Sequence, residues 1–583
     1  VKTVNIRFIA MNRILIAVVG AALLLNLAAT GQAAEARIQL TALPATMRAT
    51  PTGPLAGTSA VEIAGARGET ESFQVVVTGV DEKLEGVTAS LDPLRQAGGP
   101  SLPETSLELF RVAWVPVRHS SPRATVAPGL IADALIPFKD PYTGEPVREP
   151  RWSDAKPDGP RFGATGFALW PDHHQALWVD VRIPRDAAPG VYEGVLRVTA
   201  KNASPAKIPV RLTVWDFTLP EGPTHENHFG GFGRLRAYHR LENDPEKYIR
   251  LEERYIAMLA AHRLNPPLPN RLWPKPEANG TVVFDPAADQ KFSEFVARYH
   301  VTDFPVPRAP FRDVLGEHRS QAINFYRTVF AYLEKHGWAK RAYLYMLDEP
   351  NDSRAYERVR QLGALVHEAA PRLRRLVVEQ PYTEDPAWGV LDGAVDIWCP
   401  LFGFIDAASI ERVRAQGNSV WSYTALVQPA PSYHPQYEQV KDDNPPYWEL
   451  DFPVTAYRIA PWLNRRYDIT GLLYWATVYW GSPDRNPWDE PGFRLQWNGE
   501  GALFYPGNEA GIEGPVASVR LKCLRDGMED YEYFVLLEQL GGKALVDNLV
   551  RTAAPTWGQW QQSPDALPKL RRQLAEAILR RIK

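Results

Sequence analysis

The strongest constraint in this 583-residue chain is a change of texture at Leu219-Pro-Glu-Gly-Pro223. Beyond it, short apolar runs near 228–232, 263–268, 303–307, 342–347, 375–379, 395–399, 419–424 and 471–475 alternate with helical periodicity. The helical stretches cover 243–262, 288–300, 318–336, 352–370, 406–415, 453–466 and 516–540, and the connection after the fifth run is the least helical. Such alternation implies parallel strands joined by crossovers. Eight units over about 320 residues predict a (β/α)8 TIM-type barrel at 224–545. An open doubly wound sheet is the alternative, but no GxGxxG follows a strand, which removes its dinucleotide-binding form. Residues 546–583 read as a helical extension, with Leu570, Leu574, Ile578 and Ile582 near one face.

Before the linker the pattern is all β. Phe73–Val77, Leu177–Ile183, Gly194–Thr199 and Ile208–Val214 are short and rich in β-branched and aromatic residues, and Pro189-Gly190 marks a turn. Strands this short, with frequent turns, predict a β-sandwich over 35–220. The expected fold is therefore multidomain: an all-β sandwich followed by an α/β barrel.

The N-terminus has the form of an address. Met11-Asn-Arg13 precedes an apolar run from Ile14 to Leu25, and small residues follow at Ala28, Ala29, Gly31, Ala33 and Ala34. A basic start, about a dozen apolar residues and a small-residue cleavage region predict a secretory signal peptide over 1–34 with its true start at Met11. The run is shorter than the roughly 20 residues a spanning helix needs. The mature chain is expected to begin near residue 34 or 35, to be secreted or periplasmic, and to have no stable membrane insertion.

Charge narrows the partners. The 65 basic and 68 acidic side chains leave a net charge of −3, without the basic surplus of a nucleic-acid binder. Two cysteines, Cys399 and Cys523, make neither a disulfide framework nor a CxxC zinc site, and their pairing is open. His225-Glu-Asn-His228 lacks the HExxH spacing, so no metal and no organic cofactor is expected. GxSxG is absent too, which argues against a serine nucleophile. The aromatic share of 11% suits a large core, or a cleft with flat faces for sugars.

Active residues of a barrel come from the C-terminal ends of its strands. The strongest such end is Ala342-Tyr-Leu-Tyr-Met-Leu-Asp-Glu-Pro350, an apolar strand closing on Asp348 and Glu349. Pleating points neighbours to opposite faces, so both acids reach one cleft only if the chain leaves the pleat there. A protonated carboxyl beside an ionised one suits glycosidic cleavage. The alternative is an exposed helix start. Gln380, Trp398, Trp421, Tyr423, Tyr474, Trp475 and Trp480 lie at or near other strand ends and are candidates for substrate contact. Arg520–Tyr533 is dense in charge, with Arg525 and Glu529 spaced for an ion pair on a closing helix.

Several motifs in order resemble the glycoside hydrolase family 123 type, including its uncharacterised relatives, over nearly the whole mature chain. They are Gly68-Glu-Thr-Glu-Ser-Phe-Gln74, Gln175–Val181, Pro189–Gly194, Leu347-Asp-Glu-Pro350, Tyr505-Pro-Gly507, Gly514–Arg520 and Leu524-Arg-Asp-Gly-Met-Glu-Asp-Tyr-Glu532. The resemblance implies an exo-acting, retaining β-N-acetylgalactosaminidase in which the sugar's own 2-acetamido oxygen attacks the anomeric carbon. Asp348 would then orient the acetamido nitrogen and Glu349 would serve as general acid and base. Tyr423 or Tyr474 would bond the acetamido oxygen, and Trp421, Trp475 and Trp480 would form the sugar platform. The chain reads Asn-Gly-Glu-Gly at 498–501 where the family suggests Gly-Asp-Gly, so Glu500 would be a longer substitute there. Two other readings remain: a catalytically silent carbohydrate-binding envelope protein, and a retaining glycosidase with Glu379 as its nucleophile. Each takes a glycan or glycoconjugate as partner.

Overall fold

The structure, a computed structural model, describes residues 36–150, 159–481, 485–494 and 496–582. The expected signal peptide lies outside the described residues. Ten strands come first: β1 (Arg37–Pro44), β2 (Val61–Arg67), β3 (Thr70–Val80), β4 (Leu84–Leu91), β5 (Leu107–Val117), β6 (Gly129–Pro137), β7 (Phe167–Leu169), β8 (His174–Arg182), β9 (Gly190–Ala200) and β10 (Ala203–Thr218). They build two sheets around one apolar core that includes Val75, Val179, Leu196 and Leu212. The five-stranded sheet runs β2-β10-β9-β4-β7. The other runs β1-β3-β8-β5-β6 and gains two strands from far along the chain, β21 (Pro515–Ser518) and β20 (Phe504–Pro506). Residues 516–518, expected to open a helix, are thus strand.

The second half carries a seven-stranded parallel sheet: β11 (Glu226–Phe229), β12 (Phe304–Val306), β13 (Ala342–Asp348), β14 (Arg374–Val378), β15 (Ile397–Trp398), β16 (Ser419–Thr424) and β17 (Gly471–Tyr474). The order β11-β17-β16-β15-β14-β13-β12 places the first strand beside the last, as a barrel does. A complete (β/α)8 barrel does not form. The run at 263–268 is not a strand, because Pro266, Pro267 and Pro269 have no N–H to give a ladder. Asn265 occupies the gap instead. Its backbone N–H donates to Asn227 Oδ1 at 2.6 Å, its Nδ2 donates to the Asp303 carbonyl at 2.9 Å, and its Oδ1 accepts from the N–H groups of Thr302 and Asp303. Asn227 N–H also donates to Asp303 Oδ2 at 3.1 Å. Side chains bridge the two edge strands where backbone pairing cannot. A short hairpin, β18 (Gly492–Phe493) with β19 (Trp497–Asn498), follows β17.

Helices cover the sheet at Pro245–Ala261, Pro286–Arg298, Arg319–Lys335, Ser353–Ala369, Ala407–Ala415 and Thr455–Arg466. Asp244, Asp285, Asp352 and Asp406 cap four of them by accepting an N–H of the first turn. Only a short turn, Pro386–Trp388, separates β14 from β15, where the helical pattern was weakest. Helices Val519–Gln539, Lys543–Ala553 and Ala566–Ile582 end the chain. No described helix is long and apolar enough to cross a membrane.

The charge-dense run binds the two halves together. Helix Val519–Gln539 lies against β3 and β8, and its charges meet theirs. Asp180 accepts from Lys522 at 2.7 Å, Arg525 at 3.1 Å and the Ser72 hydroxyl at 2.6 Å. Burial acts to raise the Asp180 carboxyl, but Lys522 and Arg525 win and hold it well below the usual range. Tyr533 Oη donates to Glu69, and Arg571 pairs with both Glu69 and Glu71. Arg525 and Glu529 stand 3.9 Å apart, so the expected pair forms, with Asp180 and Asp526 as the closer partners of Arg525. Cys399 and Cys523 are both free and buried, so they do not pair.

Candidate active site

β13 ends in two departures from regular pleating. Its register against β14 shifts between Tyr345 and Leu347, a bulge that changes which way the following side chains point. Glu349 then takes a left-handed backbone with φ 42°, while its N–H still donates to the Val378 carbonyl at 3.1 Å. Left-handed geometry is uncommon for a residue with a Cβ, and here it sits between Asp348 and the buried Pro350. The result is that both carboxylates reach the same side of the sheet. Tyr345 Oη donates to Asp348 Oδ1 at 2.7 Å, and Tyr423 Oη donates to Glu349 Oε1. Both tyrosines belong to the apolar layer on the inner face of the parallel sheet, with Leu376, Val378, Ile397 and Leu473. Asp348 and Glu349 themselves are exposed at its mouth.

The tyrosine hydroxyls stay protonated as donors. Burial first, then Asp348, raises Tyr345; burial and Glu349 raise Tyr423. His228, on β11, joins the same layer through a 2.6 Å bond from its Nδ1 to Tyr343 Oη, and burial pushes it down to about 4, so it is neutral. Tyr345 and His228 escaped the sequence reading. Parity pointed the wrong way: in a regular pleat Asp348 faces away from Tyr343 and Tyr345, and only the bulge brings them together.

Glu379, just past β14, is buried, and burial, with the nearby Glu349 charge adding to it, pushes its carboxyl up to about 9. Its Oε1 accepts from Tyr356 Oη at 3.2 Å and from Gln380 Nε2. Gln380 therefore lies behind Glu379 rather than in the open mouth.

The other candidates divide by strand parity. Trp475 is half-buried in the bend that follows β17. Tyr474 points to the outer core, fully buried between Phe229 and Trp448, and its hydroxyl accepts the Gly501 N–H at 2.8 Å. Trp398 also faces the outer core. Trp421 is on the inner face but too deep: its indole donates to Glu226 Oε2 at 3.0 Å, level with the start of β11. Trp480 is core, donating to the Phe504 carbonyl and packed on Tyr238. The structure thus brings Tyr423 to the carboxylates, leaves Trp398, Trp421, Tyr474 and Trp480 in the interior, and sets Trp475, half-buried just past β17, against Glu500, Tyr479 and Phe493. Tyr479, Phe493 and Trp497 instead continue the aromatic surface from Trp475, with ring centroids 4.9 Å apart for Trp475–Tyr479 and 5.9 Å for Trp475–Phe493.

His225 spends its ring nitrogens on the Thr470 carbonyl and Asn464, and His228 bonds Tyr343, so the two histidines do not converge.

Residues 315–537, which contain every one of these mouth groups except His228, match the family described as glycoside hydrolase 123, catalytic domain. The chain is a glycoside hydrolase that carries a family 123-type catalytic domain over those residues. A family 123 glycoside hydrolase from Clostridium perfringens, described for its hydrolysis of glycolipid glycans, superposes with a TM-score of 0.64 at 13% identity, covering 93% of this chain and 97% of that one. At that identity the likeness is one of fold. A Bacteroides ovatus GH5 xyloglucanase is far less similar, with a TM-score of 0.28 at 7% identity over 80% of this chain and 98% of that one. No curated protein sequence matches the chain.

Proposed function

We propose that this hydrolase removes terminal β-linked 2-acetamido sugars, GalNAc-like in preference, by a substrate-assisted retaining mechanism. The observation that carries the reading is the turn at Asp348–Glu349, which aims adjacent carboxylates into one mouth. Adjacent groups cannot straddle a sugar ring as the acid and nucleophile of an ordinary retaining enzyme do, about 5–5.5 Å apart on either side of the bond. They suit a reaction whose nucleophile comes from the substrate. Asp348, oriented by Tyr345, holds the acetamido N–H and stabilises positive charge as the acetamido oxygen attacks the anomeric carbon. Glu349 gives its proton to the leaving oxygen and then takes one from the water that opens the oxazolinium ring. Tyr423 steadies Glu349 through both steps. Trp475 supplies the flat face.

A Glu379 nucleophile is disfavoured, since a buried carboxyl held protonated up to about 9 is a poor one at neutral pH. The Clostridium perfringens enzyme acts on glycolipid glycans, which makes glycoconjugate termini the first natural substrates to try. Export ahead of catalysis, read from Met11 to Ala34, belongs to the same proposal and is checked by N-terminal sequencing of the mature protein.

The test is a parallel assay of aryl β-glycosides of GalNAc, GlcNAc, galactose and glucose. Release from the acetamido sugars alone is expected. Release from the plain sugars would overturn substrate assistance, and silence on all four would favour a binding role.

A further inference from the structure

Behind Trp475 lies a second pair of acids that the reaction does not use. Glu500 is buried, with 2% of its surface exposed, and Glu449 is fully buried. Glu500 Oε1 accepts the Trp475 indole N–H, and its carboxylate also accepts the Leu426 backbone N–H. The Glu449 carboxyl meets its own backbone N–H and the carboxyl of Glu500. Two carboxyls in contact cannot both be ionised, so the pair holds a proton, with Glu449 the better keeper. Burial and then the Glu500 charge push Glu449 well up. Asp451 adds to that push, while Arg520, bonded to the Gly499 carbonyl at 2.9 Å, offsets the charge of Glu500. Glu500 therefore faces the indole, not the open cleft, which corrects the expectation that it substitutes for a sugar-contacting acid.

The loop is shaped around the same ring. Gly501 has φ +67°, and a Cβ there would lie 2.5 Å from Trp475 Cζ2 and 2.8 Å from its Cη2. Only a glycine lets the backbone lie against the indole. Gly501 N–H is held by Tyr474 Oη, so the residues on both sides of the strand pin one loop. The far edge of the ring meets Tyr479 and Phe493, and Arg234 lies over Tyr479 at 4.7 Å.

We propose that Glu500 is a positioning residue that sets the angle of Trp475 as the sugar-stacking wall of the site. The proposal rests on the reading that Trp475 lines the sugar site. Its strength comes from the match of three independent features on one ring: an acceptor for its N–H, a glycine for its face and a pinned loop behind it.

The test uses the full mature chain labelled with 5-fluorotryptophan. The Trp475 resonance is identified by its loss in Trp475→Phe. Glu500→Ala is expected to move that resonance and to raise KM about tenfold with kcat within about threefold, the signature of lost binding shared by ground and transition states. Glu500→Gln keeps an acceptor oxygen and is expected to return both readouts towards the parent. Trp475→Phe, which keeps a ring but not the N–H, is expected to raise KM similarly, and the double variant to add nothing further, because both remove one interaction. A resonance and KM unmoved in Glu500→Ala would overturn the proposal, as would additive losses in the double variant. If the parent is silent on all four glycosides, the catalytic reading fails instead, and an unmoved resonance still overturns the positioning of the ring.

Discussion

At the scale of single residues, the site depends on how two neighbours escape the alternation of a strand. Asp348 and Glu349 are adjacent, yet each finds a tyrosine on the same inner face. Replacing Glu349 by Gln removes the transferable proton and keeps the shape. We expect kcat to fall by about 10²–10⁴, with the thermal midpoint unchanged because the side chain is exposed. Wild-type turnover would move the acid elsewhere. Glu379→Gln makes the opposite prediction. The native group is already neutral at pH 7, so turnover on acetamido sugars should stay within about threefold; loss of all activity would restore Glu379 as a nucleophile. The carboxylate pair was legible in sequence because an apolar strand ending in two acids is unusual. The tyrosines that orient it were not, because a tyrosine in a strand gives no sign of which carboxylate it will meet.

At the scale of elements, seven of the eight expected strands form, and four of the helices between them start at aspartates that cap them. The exception is chemical. A run holding Pro266, Pro267 and Pro269 has apolar residues in a strand-like spacing but lacks the donors a ladder needs. Asn265 does that work with side-chain and backbone bonds to both edges. Asn265→Ala leaves the N–H groups of Thr302 and Asp303 and the Asp303 carbonyl without these partners and should cost about 2–4 kcal/mol in urea unfolding. A loss below about 0.5 kcal/mol would mean that water replaces the bridge. Parity decides the aromatic candidates at this scale too. Leu473 faces in, so Tyr474 faces out, a consequence of period two that reading strand ends alone does not resolve.

For the whole molecule, the long Arg520–Tyr533 run is the seam between halves rather than a solvated face. Its helix meets the strand carrying Glu69, Glu71 and Ser72 through buried charges. Arg525→Ala strands Asp180 and Asp526 with fewer partners and should destabilise by about 3–5 kcal/mol. The seam also sets a pH dependence. Burial pushes Glu71 up to about 7 and Glu529 up to about 8, against about 4.3 in an unfolded chain. Between those values the native state binds more protons than the unfolded one, so the stability these two groups contribute is full at low pH and lost as pH rises through 7 to 8. Asp180 acts the other way: its contribution is present above about pH 4 and fades below that. Above the range where the buried histidines oppose this trend, the thermal midpoint should therefore decline from pH 7 to 8.5, less steeply in Glu529→Gln. A flat profile in the parent would show that the charges of Arg525, Arg263 and Arg571 fully offset burial.

The order of elements, the β-rich first half, the parallel sheet and the carboxylate pair at the end of its β13 strand follow from local pattern, because periodicity and strand ends are properties of neighbouring residues. Tertiary structure alone decided the rest. It joined β20 and β21 to a sheet begun at Arg37, left the gap in the parallel sheet bridged by Asn265, turned Glu349 through a left-handed backbone, and put Glu500 behind Trp475. Each of these depends on which distant groups come into contact and on what burial then demands of them: a donor for every acceptor, a proton for every pair of acids and room for every ring.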